Sequence, residues 1–417
     1  MEFSPQLPVI LYHYPFSPYA RRIVWYLRLR GISYLECIQP PMLPRPDLAR
    51  LGIAYRRIPV LAVGRDVYLD TRLILRKLES ASVTAAVTAA SASASSWRPP
   101  LGAPAGTDAA ALERLLAVLT TATDLFARAA ALLPRSLPLM RDPAFRRDRR
   151  DFFFARDGAP RRRQGDGDGG DGGGGGDDAQ DDGAEGGEVG AEAEAEAEAA
   201  AQRAEALHAV KAAFDLLEHT LLADGRAWVL GGAADAGPTL ADIEAVWPFH
   251  WMTGIPCMLS DVDDNGDSTA TTTSTAQQIS SAAFPRVYAW VARFQAAVGA
   301  AKERVRAGRV SGEEAARILL RSGFLEREEE VGVDETEPLA RACGLRRGSW
   351  VEVWPTDYGA AHRDRGRLVG LGPDEVVWET DAGVRVHAPR LGFRVRPAAV
   401  AGVVAAPAAG EGKEEGA

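Results

Sequence analysis

The chain has 417 residues, 46% of them hydrophobic and 25% charged, and a formal net charge of −9. This length and apolar content are enough to bury sizeable cores in about two or three domains. Cys37, Cys257 and Cys343 show no C-x-x-C spacing, so neither a disulfide framework nor a zinc site is indicated. No apolar run reaches the roughly 18 residues of a membrane span. Residues 1–4 lack the basic start of a signal peptide, so we expect a cytoplasmic protein with no membrane partner.

The acidic charge is concentrated in one low-complexity segment. Residues 164–202 contain thirteen Asp and Glu residues and no Lys or Arg, and the rest of the chain is close to neutral. No basic patch in the sequence therefore argues for a nucleic-acid partner. Because Gly, Asp and Glu bury too little apolar surface to offset the entropy of ordering, we expect residues 164–199 to be a disordered acidic insert. The Glu-Ala alternation over residues 191–199 is also compatible with an extension of the following helix.

The N-terminal part of the chain has the pattern of an α/β domain. Apolar runs predict strands, and apolar residues at helical spacing predict helices. The predicted strands cover residues 9–14, 34–38, 58–63 and 66–69, and the predicted helices cover residues 18–30 and 70–79. This order, β-α-β followed by β-β-α, is the thioredoxin-like arrangement, and we assign residues 7–80 to such a domain.

Residues 17–20, Ser-Pro-Tyr-Ala, stand at the start of the first predicted helix. Ser17 is expected to be the N-cap and Pro18 the first helical residue, where a missing N–H costs nothing. A cysteine at position 17 would face the positive end of the helix dipole, which lowers the pKa of a thiol. The segment has the architecture of a C-P-Y-C redox site without either cysteine, and dithiol chemistry is excluded. It resembles the N-terminal domain of glutathione transferases, in which omega-class members carry Cys-Pro-Phe-Ala here and theta- and zeta-class members carry a serine.

The resemblance implies a catalytic role for Ser17. Its hydroxyl would donate a hydrogen bond to the sulfur of glutathione and stabilise the thiolate. Tyr12 is the second candidate for this role, because tyrosine-type transferases carry their catalytic phenol near this position. The structural alternatives are a plain helix cap for Ser17 and a core aromatic for Tyr12.

The resemblance also implies where the glutathione peptide would bind. Family members have a cis peptide bond before a proline equivalent to Pro59, and the residue before it, here Ile58, offers backbone groups to the cysteinyl part of glutathione. A pair such as Asp70-Thr71 binds the γ-glutamyl carboxylate at a helix N-terminus, which is a ready anion site. Pro59 as part of the fold and Asp70 as a helix cap are the alternative interpretations.

The middle of the chain is predicted to be helical. Residues 81–109 are rich in Ala, Ser and Pro and form a predicted linker, and residues 110–330 are assigned to an all-α domain that contains the acidic insert. Thr239 and Asp242 have the spacing of a capping box at the start of a helix. The segments around residues 225–246 and 284–298 resemble the helical C-terminal domain of glutathione transferases, where the capping box has a structural role.

The C-terminal part of the chain has a β-strand pattern, unlike the helical region before it. Short alternating runs separated by turn residues over residues 338–397 predict a small all-β module similar to an SH3-like barrel. We expect this module to be separable from the first domain and to bind an unknown ligand. Residues 398–417 are expected to be a disordered tail.

The sequence therefore predicts a thioredoxin-like domain, an all-α domain and a small β module. The expected function is that of a detoxifying glutathione transferase, with glutathione as co-substrate, a small electrophile as second substrate and no metal. Dimers are usual in the resembling family. The alternative is a non-catalytic protein that binds glutathione or another protein.

Overall fold

The computed structural model of the protein describes residues 7–88, 98–134, 136–149, 184–256, 258–259, 279–305, 307–327 and 330–398. It contains two compact units. The sheet unit comprises Met1–Tyr14, Tyr34–Ala92 and Ala307–Ala417, and the helical unit comprises Pro15–Ser33 and Ser93–Arg306. No helix among the described residues combines the length and the apolar character that a membrane span requires.

The strands all belong to the sheet unit. In chain order they are β1 (Val9–His13), β2 (Tyr34–Ile38), β3 (Val60–Val63), β4 (Asp66–Leu69), β5 (Ala307–Arg309), β6 (Trp350–Pro355), β7 (Asp364–Leu371), β8 (Glu375–Glu379), β9 (Arg385–Pro389) and β10 (Phe393–Pro397).

The described helices occur in both units. In chain order they are α1 (Pro18–Arg30), α2 (Pro46–Ala49), α3 (Thr71–Glu79), α4 (Ala81–Thr88), α5 (Asp108–Thr121), α6 (Leu125–Ala131), α7 (Pro138–Arg141), α8 (Pro143–Asp148), α9 (Ala184–Leu216), α10 (Leu240–Thr253), α11 (Pro285–Lys302), α12 (Gly312–Leu320) and α13 (Pro338–Cys343). A π-helical turn follows α9 at Leu217–Leu221, and a short 3₁₀ turn covers Ala234–Ala236.

The first four strands have the thioredoxin-like arrangement that the sequence predicts. β1 and β2 are parallel, whereas β1 pairs with β3 and β3 pairs with β4 in antiparallel fashion. The hairpin between β3 and β4 turns at Gly64-Arg65, and Gly64 has a positive φ of 58° that a side chain would disfavour. The strands and helices predicted within residues 7–80 are all present, with bounds that differ by two residues at most.

The five C-terminal strands extend this sheet. β9 runs parallel to β4, with Asp66 opposite Arg385 and Tyr68 opposite His387. The strand order of the ten-stranded sheet is β10-β6-β7-β8-β9-β4-β3-β1-β2-β5. The predicted C-terminal strands are therefore present, but an SH3-like barrel is not confirmed. An unpaired edge exposes backbone N–H and C=O groups, and β9 supplies the partner that β4 needs.

The hydrophobic core of the sheet unit is shared by the two segments. One cluster of buried residues contains Ile10 and Val67 from the first strands together with Val351, Trp378 and Val386 from the C-terminal strands. The expectation that the C-terminal module is separable is wrong for this structure, because its apolar side chains and those of the first strands bury one another.

Three other expectations about organisation differ from the structure. Residues 307–320, assigned to the helical domain from sequence, lie in the sheet unit, because β5 pairs with β2. The predicted linker begins with α4. The predicted acidic insert overlaps α9 from residue 184 onward, in agreement with the helical alternative, whereas residues 164–183 lie outside the described part of the chain. The C-terminal tail lies outside it from residue 399.

The helical unit contains the predicted capping box. The Asp242 carboxylate accepts hydrogen bonds from the backbone N–H and the hydroxyl of Thr239, each at 2.9 Å. It also accepts from the Val229 N–H and the Trp290 indole, both at 2.9 Å. Burial nevertheless raises the pKa of Asp242, since the side chain is fully enclosed. The carboxylate joins two helices and a loop, which is the expected structural role.

Candidate functional site

The register of the sheet places two candidate segments at one edge. Tyr12 lies opposite Val60, and Val60 lies opposite Leu69. Pro59 precedes Val60 and Asp70 follows Leu69, so both candidates meet at the carboxyl end of β1. Ligands commonly bind at the carboxyl ends of strands in open α/β sheets. In the sequence, only the family resemblance indicated that these residues lie near one another. In the structure, the register of the strands brings the two segments to the same edge of the sheet.

The loop before β3 has the expected peptide geometry. The Ile58–Pro59 bond is cis, as is the Leu43–Pro44 bond. Ile58 is 7% exposed and belongs to the core cluster of the sheet unit.

Asp70 is the N-cap of α3 and has an unusual backbone conformation. Its φ is +65°, and among the described residues no other non-glycine residue has a positive φ. Such conformations concentrate at functional sites. Its Oδ1 accepts hydrogen bonds from the Arg72 N–H and Nε, both at 3.0 Å, and Oδ2 accepts from the Arg72 guanidinium at 2.9 Å. Burial alone would raise the pKa of Asp70, but the Arg72 guanidinium holds it below its ordinary value.

Thr71 is the first residue of α3 and is 5% exposed. The start of α3 presents backbone N–H groups, which favour an anion. The charge on Asp70 is balanced by Arg72, because the two side chains form a bidentate pair. An incoming carboxylate would meet a neutral pair rather than an isolated negative charge.

The C-terminal segment contacts this helix start. The Arg72 guanidinium donates to the Leu391 carbonyl at 3.3 Å, and a Cβ on Gly392 would approach the same guanidinium to 3.2 Å. Arg57, next to Ile58, forms an ion pair with Asp357 and donates to the Tyr358 carbonyl from Nε at 3.0 Å. The loops that follow β6 and β9 are thus part of the surroundings of the candidate residues.

A buried carboxyl group anchors the loop that leads to Pro59. Asp364 of β7 accepts hydrogen bonds from the Ala54 and Tyr55 N–H groups at 2.7 and 3.3 Å. Burial raises the pKa of Asp364 to about 7, although these two hydrogen bonds act in the opposite direction. The Tyr55 ring is stacked on Phe393 of β10 at 5.9 Å between centroids. The C-terminal strands therefore hold the loop in place.

Tyr12 lies in the core of the sheet unit. It is 0% exposed, opposite Cys37 in the register of β1 and β2. Burial, with smaller effects of Cys37 and Asp47, raises the pKa of its phenol well above the ordinary value. A ligand would have to open the core to reach this hydroxyl, so the structural interpretation fits Tyr12 better than the catalytic one.

Ser17 lies in the helical unit, where it caps α1 as predicted. Its Oγ accepts a hydrogen bond from the Ala20 N–H at 3.2 Å, and Pro18 occupies the first helical position. A hydroxyl that accepts in this way keeps its own proton for a second partner. The side chain is 2% exposed, so little of it is open to a ligand in this conformation.

Packing within the helical unit fixes the direction of α1. The Tyr19 ring lies 4.9 Å from the Phe126 ring and 4.6 Å from the Trp247 ring. The Arg22 guanidinium, which is fully buried, forms an ion pair with Glu244 of α10. A buried ion pair is costly to break because one charge would be left without its partner. The N-terminus of α1, and Ser17 with it, is held rigidly.

A pocket in the described part of the sheet unit lies away from the candidate residues. It has a volume of about 440 Å³ and is lined by residues that include Cys37, Asp47, Arg309 and Glu314. Burial and the neighbouring Asp47 raise the pKa of the Cys37 thiol to about 12. A thiol with this pKa is not a nucleophile near neutral pH, and the candidate residues do not line the pocket.

Sequence reasoning missed the residues that lie around the helix start. Arg57 and Arg72 each stand beside a candidate residue in the sequence, and that adjacency was the available signal. Asp364 and Leu391 carry no such signal, because their proximity depends on the pairing of β4 with β9.

Two family models match parts of the chain. Residues 11–85 match the glutathione S-transferase N-terminal domain, and residues 185–303 match a domain of unknown function, DUF7962. All six candidate residues lie within the first match. No curated protein matches the chain.

Several solved structures are similar to this chain, and the first one described here shows its fold. A GST-like protein from Pseudomonas syringae superposes with a TM-score of 0.56 at 20% identity, covering 94% of this chain and 99% of its own. Rice GST1 in complex with glutathione has a TM-score of 0.40 at 15% identity and covers 75% of this chain and 95% of its own. Human glutathione S-transferase T1-1 in its apo form has a TM-score of 0.39 at 14% identity, covering 75% and 90%.

Proposed function

We propose that this glutathione transferase-like protein binds glutathione and joins its sulfur to an electrophilic small molecule. One observation carries the proposal: the family model for the glutathione S-transferase N-terminal domain matches the residues that include the Ser17 helix cap, the Ile58–Pro59 cis bond and the Asp70-Thr71 helix start. In the reaction the thiol gives its proton to solvent, the sulfur forms a bond to the electrophilic carbon, and the bond from that carbon to its leaving group breaks, which releases halide ion when the electrophile is an aryl halide. Glutathione is the co-substrate, and the proposal needs no metal.

Ser17 is proposed to stabilise the thiolate. An ordinary thiol with a pKa of about 8.5 is only a few per cent ionised at neutral pH, and lowering that pKa by about two units requires roughly 3 kcal/mol. A hydrogen bond to a charged group contributes about 1.5–3 kcal/mol. The positive end of α1 adds to this, so one serine at a helix N-terminus is of the right order.

Asp70 and Thr71 are proposed to hold the γ-glutamyl end of glutathione, with Ile58 and Pro59 beside the cysteinyl part. Arg72 supports this role, because its bidentate pair with Asp70 offsets a charge that would otherwise repel a carboxylate. Arg57 adds a second guanidinium next to Ile58.

The alternative function is that of a non-catalytic protein that binds glutathione or a protein partner. The 2% exposure of Ser17 favours it, because a hydroxyl so enclosed offers little surface to a thiolate. The two functions differ in one property: only a transferase turns over an electrophile.

Retention on immobilised glutathione and turnover of a reactive aryl halide test the proposal together. We expect the wild-type protein to be retained and to show turnover, Ser17→Ala to be retained without turnover, and Thr71→Val to bind glutathione about tenfold more weakly. Ser311→Ala is the matched control, because Ser311 caps α12 in the same manner, with its Oγ accepting from the Glu314 N–H at 3.2 Å. Retention without turnover of the wild type would support the binding protein, and absence of both would contradict both functions.

A further inference from the structure

One face of the C-terminal strands carries a concentration of arginines. β10 pairs with β6, and β6 pairs with β7, so three adjacent strands present their outward residues together. The arginines on this face are all exposed: Arg363, Arg365, Arg367, Arg394 and Arg396. They stand on either side of β6, because β7 and its preceding residue carry three of them and β10 carries two.

Two tryptophans occupy the strand between the arginines. Trp350 lies opposite Arg367, and Trp354 lies opposite Arg394. The Arg363 guanidinium lies 4.3 Å from the centroid of Trp354, and those of Arg367 and Arg365 lie 4.8 and 5.6 Å from that of Trp350. Trp350 and Trp354 are four positions apart in β6, which corresponds to about 13 Å along a strand. We name this surface the arginine–tryptophan face.

Acidic residues balance only part of this charge. Glu352 lies between the two tryptophans and pairs with Arg363 at 3.1 Å. Glu379 of β8 lies opposite Arg367 at the border of the face. With Arg365 left out of the count, the described part of this face holds four guanidinium groups and two carboxylates, so its charge is positive.

We propose that the arginine–tryptophan face binds single-stranded nucleic acid. Guanidinium groups remain charged at any physiological pH and match the geometry of phosphate oxygens. Proteins that bind single strands combine such a positive track with aromatic side chains on which unpaired bases stack. The face supplies both elements in parallel rows: cations on β7 and β10, and indoles on the strand between them.

The charge and the aromatic row together favour this ligand over an acidic protein. The carboxylates of an acidic protein would form ion pairs with the arginines and would not require the tryptophans. Unpaired bases need flat partners at intervals along a line, which Trp350 and Trp354 provide. A nucleic-acid partner was not expected from the sequence, because the arginines of β10 and β7 come together only when both strands pair with β6.

Fluorescence anisotropy of labelled oligonucleotides with the full chain tests the proposal. Oligouridine and oligothymidine of about 16 nucleotides distinguish RNA from DNA as the source of the strand. We expect saturable binding that weakens with salt, and weaker binding of a duplex of the same length. Trp350→Ala should lower the affinity at least about fivefold.

The exposed arginines provide a second test that leaves the core untouched. Replacing Arg394 and Arg396 together by glutamine should reduce the slope of log affinity against log salt by about 1.4. The same change at Arg317 and Arg321 is the matched control, because both are exposed in the same unit outside the face. The comparison of these two double variants tests the proposal even if Trp350→Ala does not fold.

Four results would overturn the proposal. The first is absence of saturable binding at low salt. The second is an equal loss of affinity in the control variant, and the third is equally tight binding of the duplex. Competition by polyglutamate or by anionic vesicles as strong as that by the oligonucleotide would also overturn it and assign the face to an acidic protein or a lipid surface.

Discussion

The imidazole Nε2 of His387 lies 3.0 Å from Oδ1 of Asp66, and both side chains are fully buried. The bond joins β9 to β4, the two strands at which the C-terminal segment meets the first domain. On its other side, His387 Nδ1 lies 3.5 Å from Glu375, which is bound by Lys77 at 2.8 Å. A charged network thus lies at the junction of two segments that are 321 residues apart in sequence.

The network makes the junction sensitive to alkaline pH. Burial alone would lower the pKa of His387, but its contact with Asp66 and the nearby Glu375 carboxylate raise it to about 9. Because this value exceeds the unfolded value of about 6.5, the imidazolium stabilises the fold fully below that pH. Its contribution is lost as pH rises through about 9.

We therefore expect His387→Gln to abolish part of the pH dependence of stability. The wild type should lose on the order of 3 kcal/mol of unfolding free energy between these two pKa values, and the variant should lose much less. Denaturant titrations on either side of the interval measure this. His208→Gln, at an exposed histidine, is the control. An unchanged slope in His387→Gln would show that the imidazole is neutral in the fold.

Asp364 should also make the stability of the fold depend on pH, with its largest contribution at acidic pH. Its pKa is raised to about 7 by burial, so the protonated form stabilises the fold at pH below the unfolded pKa, and this contribution is lost as pH rises through about 7. Asp364→Asn keeps an acceptor for the Ala54 and Tyr55 N–H groups without a charge. We expect its stability relative to wild type to increase from pH 5 to pH 8.

Asp364→Ala separates the hydrogen bonds from the charge. It leaves both N–H groups without their acceptor, at a cost of about 1–3 kcal/mol each. Urea unfolding at pH 5 and pH 8 distinguishes the variants. A destabilisation of Asp364→Asn that grows with pH would contradict the assigned protonation.

A chain that ends at Arg327 should not fold cooperatively. It would expose the edge of β4, take away the His387 partner of Asp66 and remove about half of a shared core. Circular dichroism and limited proteolysis would report this. A soluble fragment that melts in one sharp transition would restore the separable module expected from the sequence.

Gly312→Ala should destabilise the protein although alanine favours helices. A Cβ at Gly312 would clash with the Asp47 carboxylate and would lie 2.6 Å from Asp47 Cβ. Asp47 is held by Gln39 at 2.9 Å, so relief requires movement of a bonded side chain. We expect a loss of about 1–3 kcal/mol in unfolding free energy.

Gly299→Ala is the matched control for this change. It lies within α11, and a Cβ there would meet nothing within 4 Å. It should gain up to about 1 kcal/mol from helix propensity. Equal effects of the two substitutions would show that the contact with Asp47 is not close.

Ser17→Cys tests whether position 17 lies in an activating environment. A thiolate at the N-cap of α1 would receive the Ala20 N–H and the helix dipole, so its pKa should fall well below about 8.5. Iodoacetamide labelling against pH measures this in a background where Cys37, Cys257 and Cys343 are serine. Formation of a disulfide with oxidised glutathione is expected, and a normal pKa without this adduct would contradict the proposed role.

Local features were predictable because their causes are local. The cap at Ser17, the box formed by Thr239 and Asp242, and the turn at Gly64 each depend on residues a few positions apart. The candidate residues within 7–80 followed from a family resemblance, and the match over residues 11–85 agrees with it. Arg72 could have been added, since it is two residues from Asp70.

Strand pairing between distant segments was not predictable from these patterns. An alternating strand shows which of its residues face a core, but it does not show which edge it joins. The strands and helices, the caps and the absence of a dithiol could be read from the sequence alone. The tertiary structure paired β9 with β4, which placed His387 on Asp66 and Leu391 on Arg72. It also paired β6 with β7 and β10, which placed the arginines beside the tryptophans. Those contacts depend on burial across segments far apart in the chain, which local patterns do not encode.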